Sequence, residues 1–174
     1  KKVQKETSQS KERGDILVFL PGKGEIDGCR RLLQDHLSQQ KIDIIPVHAS
    51  LPTDRLVQAL MEEGDTQRIY LATNVAETSL TLPRVTTVID SGLARMRIHR
   101  GGRSALALVP IPAPLMTQRT GRAGRVAPGR CLRLWQQSYQ PETRLRPEIE
   151  RIELDDLILQ AACYGLDGDD FFQA

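Results

Sequence analysis

Cysteine, histidine and aromatic residues are all sparse in this chain, and each shortage closes off a class of function. The three cysteines, Cys29, Cys131 and Cys163, are odd in number and far apart, with no Cys-x-x-Cys pair. Neither a disulfide framework nor a zinc site follows, and the usage points to a reducing, cytoplasmic compartment. His36, His48 and His99 are too scattered to form a metal set, and no Ser/His/Asp arrangement accompanies them. No protein-held metal is therefore expected. No apolar run approaches the roughly 18 residues a membrane span needs, and the first residues do not read as a signal peptide. Pro21-Gly22-Lys23-Gly24-Glu25 lacks the Gly-x4-Gly-Lys-Ser/Thr phosphate-loop pattern, and Gly24 offers Mg²⁺ no hydroxyl. A turn opening a helix is the better reading. Aromatics are 4% of the residues against 40% hydrophobic overall, which suits an aliphatic α/β core.

Acids are also missing, but only from one region. Ser91 to Arg130 holds Arg95, Arg97, Arg100, Arg103, Arg119, Arg122, Arg125 and Arg130 and no Asp or Glu. Its densest part is Gln118-Arg119-Thr120-Gly121-Arg122-Ala123-Gly124-Arg125. Residues three apart share a helix face, so Arg119, Arg122 and Arg125 are expected to point together. Guanidinium groups grip phosphate oxygens in a planar fork, and the glycines let a phosphate or another backbone come close. Two glycines in a three-turn helix cost about 2 kcal/mol relative to alanine, an odd choice for a merely solvated face. The run is read as phosphate-handling. The net charge of +2 conceals a contrast with the end of the chain, where Glu142 to Asp170 is strongly acidic. A basic middle and an acidic end suggest two surfaces with different partners.

The 174 residues suffice for one domain with a real core plus a fragment of the next. Residues 1–13 are polar and charged around the lone apolar Val3, and read as a linker. A chain opening in a linker is expected to belong to a larger protein. Asp15 to Leu20 is a short apolar run closed by Pro21-Gly22, and reads as a buried strand. Ile26, Leu33 and Leu37 then share a helix face up to about Gln40. Ile42 to Val47 reads as a second strand, followed by a loop at His48 to Pro52. Thr53 reads as the N-cap of a helix carrying Leu56, Leu60 and Met61. Arg68 to Thr73 and Val85 to Asp90 are further strands, and Arg95 to Val109 alternates around Gly101-Gly102 as a hairpin. Leu115 to Arg125 is the arginine helix, Cys131 to Trp135 a last strand. Alternating strands and helices imply an α/β fold with a doubly wound, mainly parallel sheet and an inserted β-hairpin, with its site at the carboxyl ends of the strands. Residues 14–140 form that domain. Residues 141–174 read as a connector and the start of another domain, with Leu154, Leu157, Ile158 and Ala161 on one helix face.

Thr73 to Thr81 packs four hydroxyls and an amide just after a strand, a set suited to holding phosphate backbones without reading bases, or to capping a helix start. Phosphoryl transfer also needs a triphosphate cradle, an acid for Mg²⁺ and a residue that positions water. This chain convincingly supplies only the cations, which makes it half of an active site.

Three segments carry a family resemblance. Phe19 to Ile26 resembles motif IV of the DEAH-box (DEAH/RHA) helicases of superfamily 2, Ala72 to Thr81 resembles their motif V, and Gln118 to Arg125 their motif VI. The order and spacing match over roughly Gly14 to Trp135, nearest the bacterial Hrp-type branch, and the acidic tail resembles the lead into a winged-helix domain. The resemblance implies the second RecA-like domain of an ATP-dependent RNA helicase. It makes Arg122 and Arg125 the arginine fingers and gives Gln118 a part in positioning the attacking water. It places Ser50, Thr73, Asn74 and Thr78 against the nucleic-acid backbone, and Ser79, Thr81 and Leu60 nearer the nucleotide. ATP or another NTP, with Mg²⁺, is then held mainly by a first RecA-like domain that these residues lack, since no DEAH box or Walker A lies in them. The hairpin matches the one thought to help separate strands. The expected partners are single-stranded RNA, with DNA as an alternative, and the other domains of the same protein. Two positions depart from the pattern: Pro83 stands where many relatives have an acid, and Leu60 where some have a base-stacking aromatic. Alternatives are a non-catalytic RNA-binding adaptor of the same fold, and half of a DNA helicase or remodelling ATPase.

Overall fold

The computed structural model describes residues 14–51, 66–78, 80, 82, 84–100, 103–125, 127–144 and 155–165. They divide into two compact units, Lys1–Arg95 with Leu108–Leu145, and Met96–Ala107 with Arg146–Ala174.

The first unit is built on five strands: β1 (Asp15–Phe19), β2 (Ile42–Val47), β3 (Gln67–Ala72), β4 (Val85–Asp90) and β7 (Arg130–Arg133). They lie in the order β2-β3-β1-β4-β7, and every pairing is parallel. A parallel sheet is covered on both faces, so its central strands must be apolar throughout. That is why β1 is apolar from Ile16 to Phe19 and β3 from Ile69 to Ala72. Alternate residues then serve opposite faces. Leu17, Phe19, Val47, Tyr70, Ala72 and Val88 pack on one face with Ala76, Leu82 and Ala123. Val18, Ile69 and Leu71 pack on the other, against Ile26, Cys29, Leu33 and Leu37 of α1 (Lys23–Leu37). Pro46 removes an N–H from β2, which an edge strand tolerates.

The strand ladder continues past the strand ends into the loops. Leu20 N donates to the Ala72 carbonyl at 2.8 Å, Thr73 N to Val47 at 3.0 Å, Ser91 N to Phe19 at 3.3 Å and Leu134 N to Asp90 at 2.9 Å. The carboxyl-edge loops are therefore held by backbone bonds. At the opposite edge the buried Asp15 accepts from the Arg68 amide at 3.0 Å and lies 3.8 Å from Arg84. Burial pushes its carboxyl above the ordinary carboxylate range, against the pull of that amide and of Arg84.

Two elements differ from the expectation. The arginine segment is not one helix: α3 (Ala113–Thr120) stops before Gly121, and Gly121–Gly124 continue as a 3-10 turn. Glycine is a poor α-former, and the tighter 3-10 winding is how a last turn satisfies its carbonyls. The last strand spans Arg130–Arg133 and stops short of Trp135. Between Val75 and Thr78 a single helical turn, α2, follows β3. Strands β5 (Leu93–Arg100) and β6 (Arg103–Pro110) form the expected hairpin as a separate two-stranded sheet. In the second unit, α4 (Asp155–Cys163) covers most of the expected tail helix. Ala161 is buried there, while Ile158 and Leu159 are exposed. The expected helix after Thr53, including Leu60, lies outside the described residues, as do Ser79, Thr81 and Pro83.

Two glycines give opposite expectations for stability. Gly92 has φ +72°, and a Cβ there falls 2.7 Å from the Trp135 ring. Gly92→Ala is expected to lower stability by about 2–4 kcal/mol through left-handed strain and overpacking. Gly28 lies inside α1 with nothing within 4 Å of its Cβ position. Gly28→Ala is expected to raise stability by about 0.5–1 kcal/mol. Equilibrium urea denaturation of both variants against wild type measures the two effects.

Candidate half-site at the carboxyl edge of the sheet

The Thr73 to Thr78 segment and α3 meet beyond the carboxyl ends of the strands. Their meeting point is Arg119, which has no solvent exposure. Its Nε donates to Glu77 Oε1 at 2.8 Å and its Nη1 to Asp90 Oδ1 at 2.7 Å. Nη1 also reaches the Leu93 carbonyl at 3.3 Å, and the guanidinium lies over the Phe19 ring, 4.7 Å from its centre. Asp90 Oδ1 accepts a further bond from the Gly92 amide at 2.9 Å. One planar cation thus binds the ends of β1 and β4, the start of β5, α2 and α3.

This overturns part of the expected geometry. Arg119 does not point with Arg122 and Arg125 toward an open phosphate site, because it continues the buried face of α3 set by Leu115 and Met116. A buried guanidinium requires partners, and the chain has only two acids between Asp65 and Glu142, namely Glu77 and Asp90. Both are engaged. Sequence reading passed over Arg119, Glu77 and Asp90 as a group. The available signal was an arginine in phase with an apolar stripe, in a region with two acids to serve it.

Arg122 and Arg125 form the other half of the motif. Arg122 retains only 7% of its exposure, and its Nη1 donates to the Leu80 carbonyl at 2.6 Å. Burial pushes its pKa down, repulsion from Arg125 adds to that, and attraction to Glu77 opposes it. Arg125 is exposed, just past the 3-10 turn, and no acid pairs with it among the described residues. The two guanidinium groups are near enough to repel, and the acids that might compensate them are held by Arg119. Burial pushes the Glu77 carboxyl up, with Arg119 opposing.

Gln118 is exposed on α3, one residue before the buried arginine. Ser50 is exposed in a turn closed by the Leu51 amide on the His48 carbonyl at 3.0 Å. His48 beside it is buried, and burial together with the charge of Lys23 pushes its pKa down. Thr73 is half-buried and Asn74 exposed, with their carbonyls accepting from Ala76 and Glu77 to open α2. Thr78 ends that turn. Beside the motif IV turn, Glu25 accepts from Arg95 Nη2 at 2.8 Å, fixing the base of β5 to the start of α1. Exposed guanidinium and amide donors on one edge suit an anion. Among the described residues no group of three or more His, Cys, Asp or Glu residues is placed to hold a metal ion.

Comparison with known proteins gives the family and the fold. The helicase conserved C-terminal domain family matches residues 1–127. The pre-mRNA-splicing factor ATP-dependent RNA helicase DEAH10 of Arabidopsis thaliana is 36% identical over 164 residues, covering 88% of this chain and 23% of that protein. Two crystal structures of E. coli HrpB, one described as a DExH-box NTPase and one as a DEAH/RHA helicase, align with 94% of the chain at 29% identity. Their TM-scores are 0.74 and 0.80, and the chain covers 21% of each. The chain therefore spans less than a quarter of these relatives' length, and the sheet described above is the RecA-like fold they share. With motifs IV, V and VI on one sheet edge and the family match running through most of its length, the chain belongs to the helicase conserved C-terminal domain family, as the C-terminal domain of a DEAH-box superfamily 2 helicase.

Proposed function

We propose that this chain is the second RecA-like half of an ATP-driven RNA helicase. In this reading Arg122 and Arg125 are its arginine fingers, and Gln118 orients the attacking water. The observation that carries the reading is the closeness of Arg122, on the 3-10 turn, and Arg125, just past it, with no free acid beside them among the described residues. Two cations held close, whose nearest described acid, Glu77, is already bound to Arg119, are poised for an anion whose charge grows during reaction, which is the electrostatic requirement of phosphoryl transfer. The donor chemistry fits phosphate and not Mg²⁺: Glu77 and Asp90 are both committed to Arg119. The carboxylate for the metal and the triphosphate cradle therefore come from the first RecA-like domain. Mg²⁺ would there neutralise phosphate charge, while this domain supplies guanidinium groups from the other side. A cytoplasmic location belongs to the same proposal, as does the reading of residues 141–174 as the lead into a winged-helix domain.

Ser50, Thr73, Asn74 and Thr78 lie on the carboxyl edge and are proposed to contact the backbone of single-stranded RNA. Ser79, Thr81 and Leu60 are proposed to lie nearer the nucleotide. Contacts to phosphates give affinity without base choice. RNA affinity of the full-length protein is expected to fall with salt, log K declining by about 0.7 per log unit of salt for each phosphate neutralised on a single strand. Fluorescence anisotropy at several salt concentrations measures that slope.

The deciding experiment is RNA-stimulated ATP hydrolysis by the full-length parent protein, wild type against Arg125→Ala. Turnover is expected to fall by about 10³-fold or more while ATP binding persists, as for loss of a finger. Unchanged turnover would instead favour a non-catalytic adaptor with the same fold.

A further inference from the structure

The buried cluster at Arg119 and the bond from Arg122 have a common plan. Arg119 and Arg122 are three residues apart, and so are their partners Glu77 and Leu80. Two parallel rungs therefore connect the segment after β3 to α3 and its 3-10 turn. The rungs differ in kind. The first is a doubly charged contact at 2.8 Å with no solvent exposure on Arg119. The second joins a guanidinium to a neutral carbonyl at 2.6 Å, with Arg125 nearby opposing the charge of Arg122.

Stability alone is a poor account of the first rung. Arg119 Nη2 and Asp90 Oδ2 are buried with no hydrogen-bond partner among the described residues. A buried ion cluster left partly unsatisfied gains little over an apolar replacement of similar volume. What it does supply is position. Nε, Nη1 and the flat face of the guanidinium meet Glu77, Asp90 and the Phe19 ring respectively, so neither its plane nor its rotation is free.

We infer that Arg119 is a positioning residue for the fingers, acting through Glu77. Its rung is the fixed one, setting the register between the Thr73 to Thr78 segment and the turn that carries Arg122 and Arg125. The Leu80 rung is the exchangeable one, from which Arg122 leaves when a phosphate competes for it. Movement of the Thr73 to Thr78 segment is then passed to the fingers as a displacement of the whole turn. The inference rests on the motor reading above, and names residues outside the finger pair on which turnover depends.

The test uses the full-length protein with ATP and poly-uridine RNA, comparing wild type, Arg119→Lys, Glu77→Gln, the double variant and Arg125→Ala. Lysine keeps the charge of Arg119 but not its planar fork, and glutamine keeps the shape of Glu77 but not its charge. Each single variant is expected to lower kcat at saturating RNA by about tenfold or more, with KM for ATP within about threefold of wild type. The double variant is expected to be no slower than Arg119→Lys, since the one contact that Glu77→Gln weakens is already altered in Arg119→Lys. Wild-type kcat in Arg119→Lys, additive losses in the double variant, or a loss that merely tracks the folded fraction by near-ultraviolet circular dichroism would each overturn the inference. Arg125→Ala separates the two claims. If it abolishes turnover and Arg119→Lys does not, only the positioning role fails. If it leaves turnover intact, the motor reading fails and the positioning role with it.

Discussion

A cation enclosed without water must be surrounded by groups that cannot withdraw, and Arg119 imposes that condition on the whole carboxyl edge of the sheet. Removing one partner from a buried ion pair costs about 3–5 kcal/mol, because the survivor is left charged and dry. The end of β4 must therefore bring Asp90 to one point, the turn after β3 must bring Glu77 to it, and α3 must enter at the angle that delivers residue 119. Phe19, at the end of the central strand, closes the ring face. None of these segments can shift alone. The 3-10 turn after α3 and the return to β7 follow from where α3 is forced to stop, with the backbone at Gly129 lying so close to the Ala123 carbonyl that a Cβ would not fit.

The central strand is pinned by charge at both ends. At its start the buried Asp15 accepts the Arg68 amide and faces Arg84; at its finish Phe19 supports Arg119. Between these points β1 is apolar and takes its strength from two parallel neighbours and a helix-covered face. This division explains how a sheet of short strands carries an exact loop arrangement. Hydrophobic burial is non-directional and holds the layers together, while the two polar clusters fix register at the two edges, of which the carboxyl one is where function is proposed.

Much of this was legible from the chain. The strands β1 to β4 announce themselves as short segments rich in aliphatic and β-branched residues bounded by polar and turn residues, and α1 because Ile26, Leu33 and Leu37 keep helical phase. The arginine segment was less legible, for a physical reason. Arg119, Arg122 and Arg125 are one residue type at equal spacing, and local sequence gives them one role. Their differences come from which side of α3 meets the sheet, a tertiary fact. Only the stripe Leu115, Met116, Arg119 and the scarcity of nearby acids hinted at it. The 3-10 turn was hidden too: Gly121 and Gly124 weaken an α-helix without saying what replaces it. Gln118, Arg125, Ser50 and Asn74 fall on exposed positions of one edge, whereas Leu60, Ser79 and Thr81 lie outside the described residues.

The same arithmetic of charge explains why this edge is built to be completed by another body. Glu77 and Asp90 are matched by Arg119, with Arg122 contributing attraction to Glu77 from a little farther away. Arg125 has no such match among the described residues, and its repulsion makes the buried Arg122 harder to keep charged. Arg122 lies within the 3-10 turn and Arg125 follows directly after it, and the two remain close enough to repel. An anion entering between them removes repulsion as well as adding attraction, so its effect exceeds that of either pair alone. Multiple negative charge is the property that the proposed finger site would select. The charge must also arrive from outside, because every carboxylate of the described edge near the turn is already bound to Arg119.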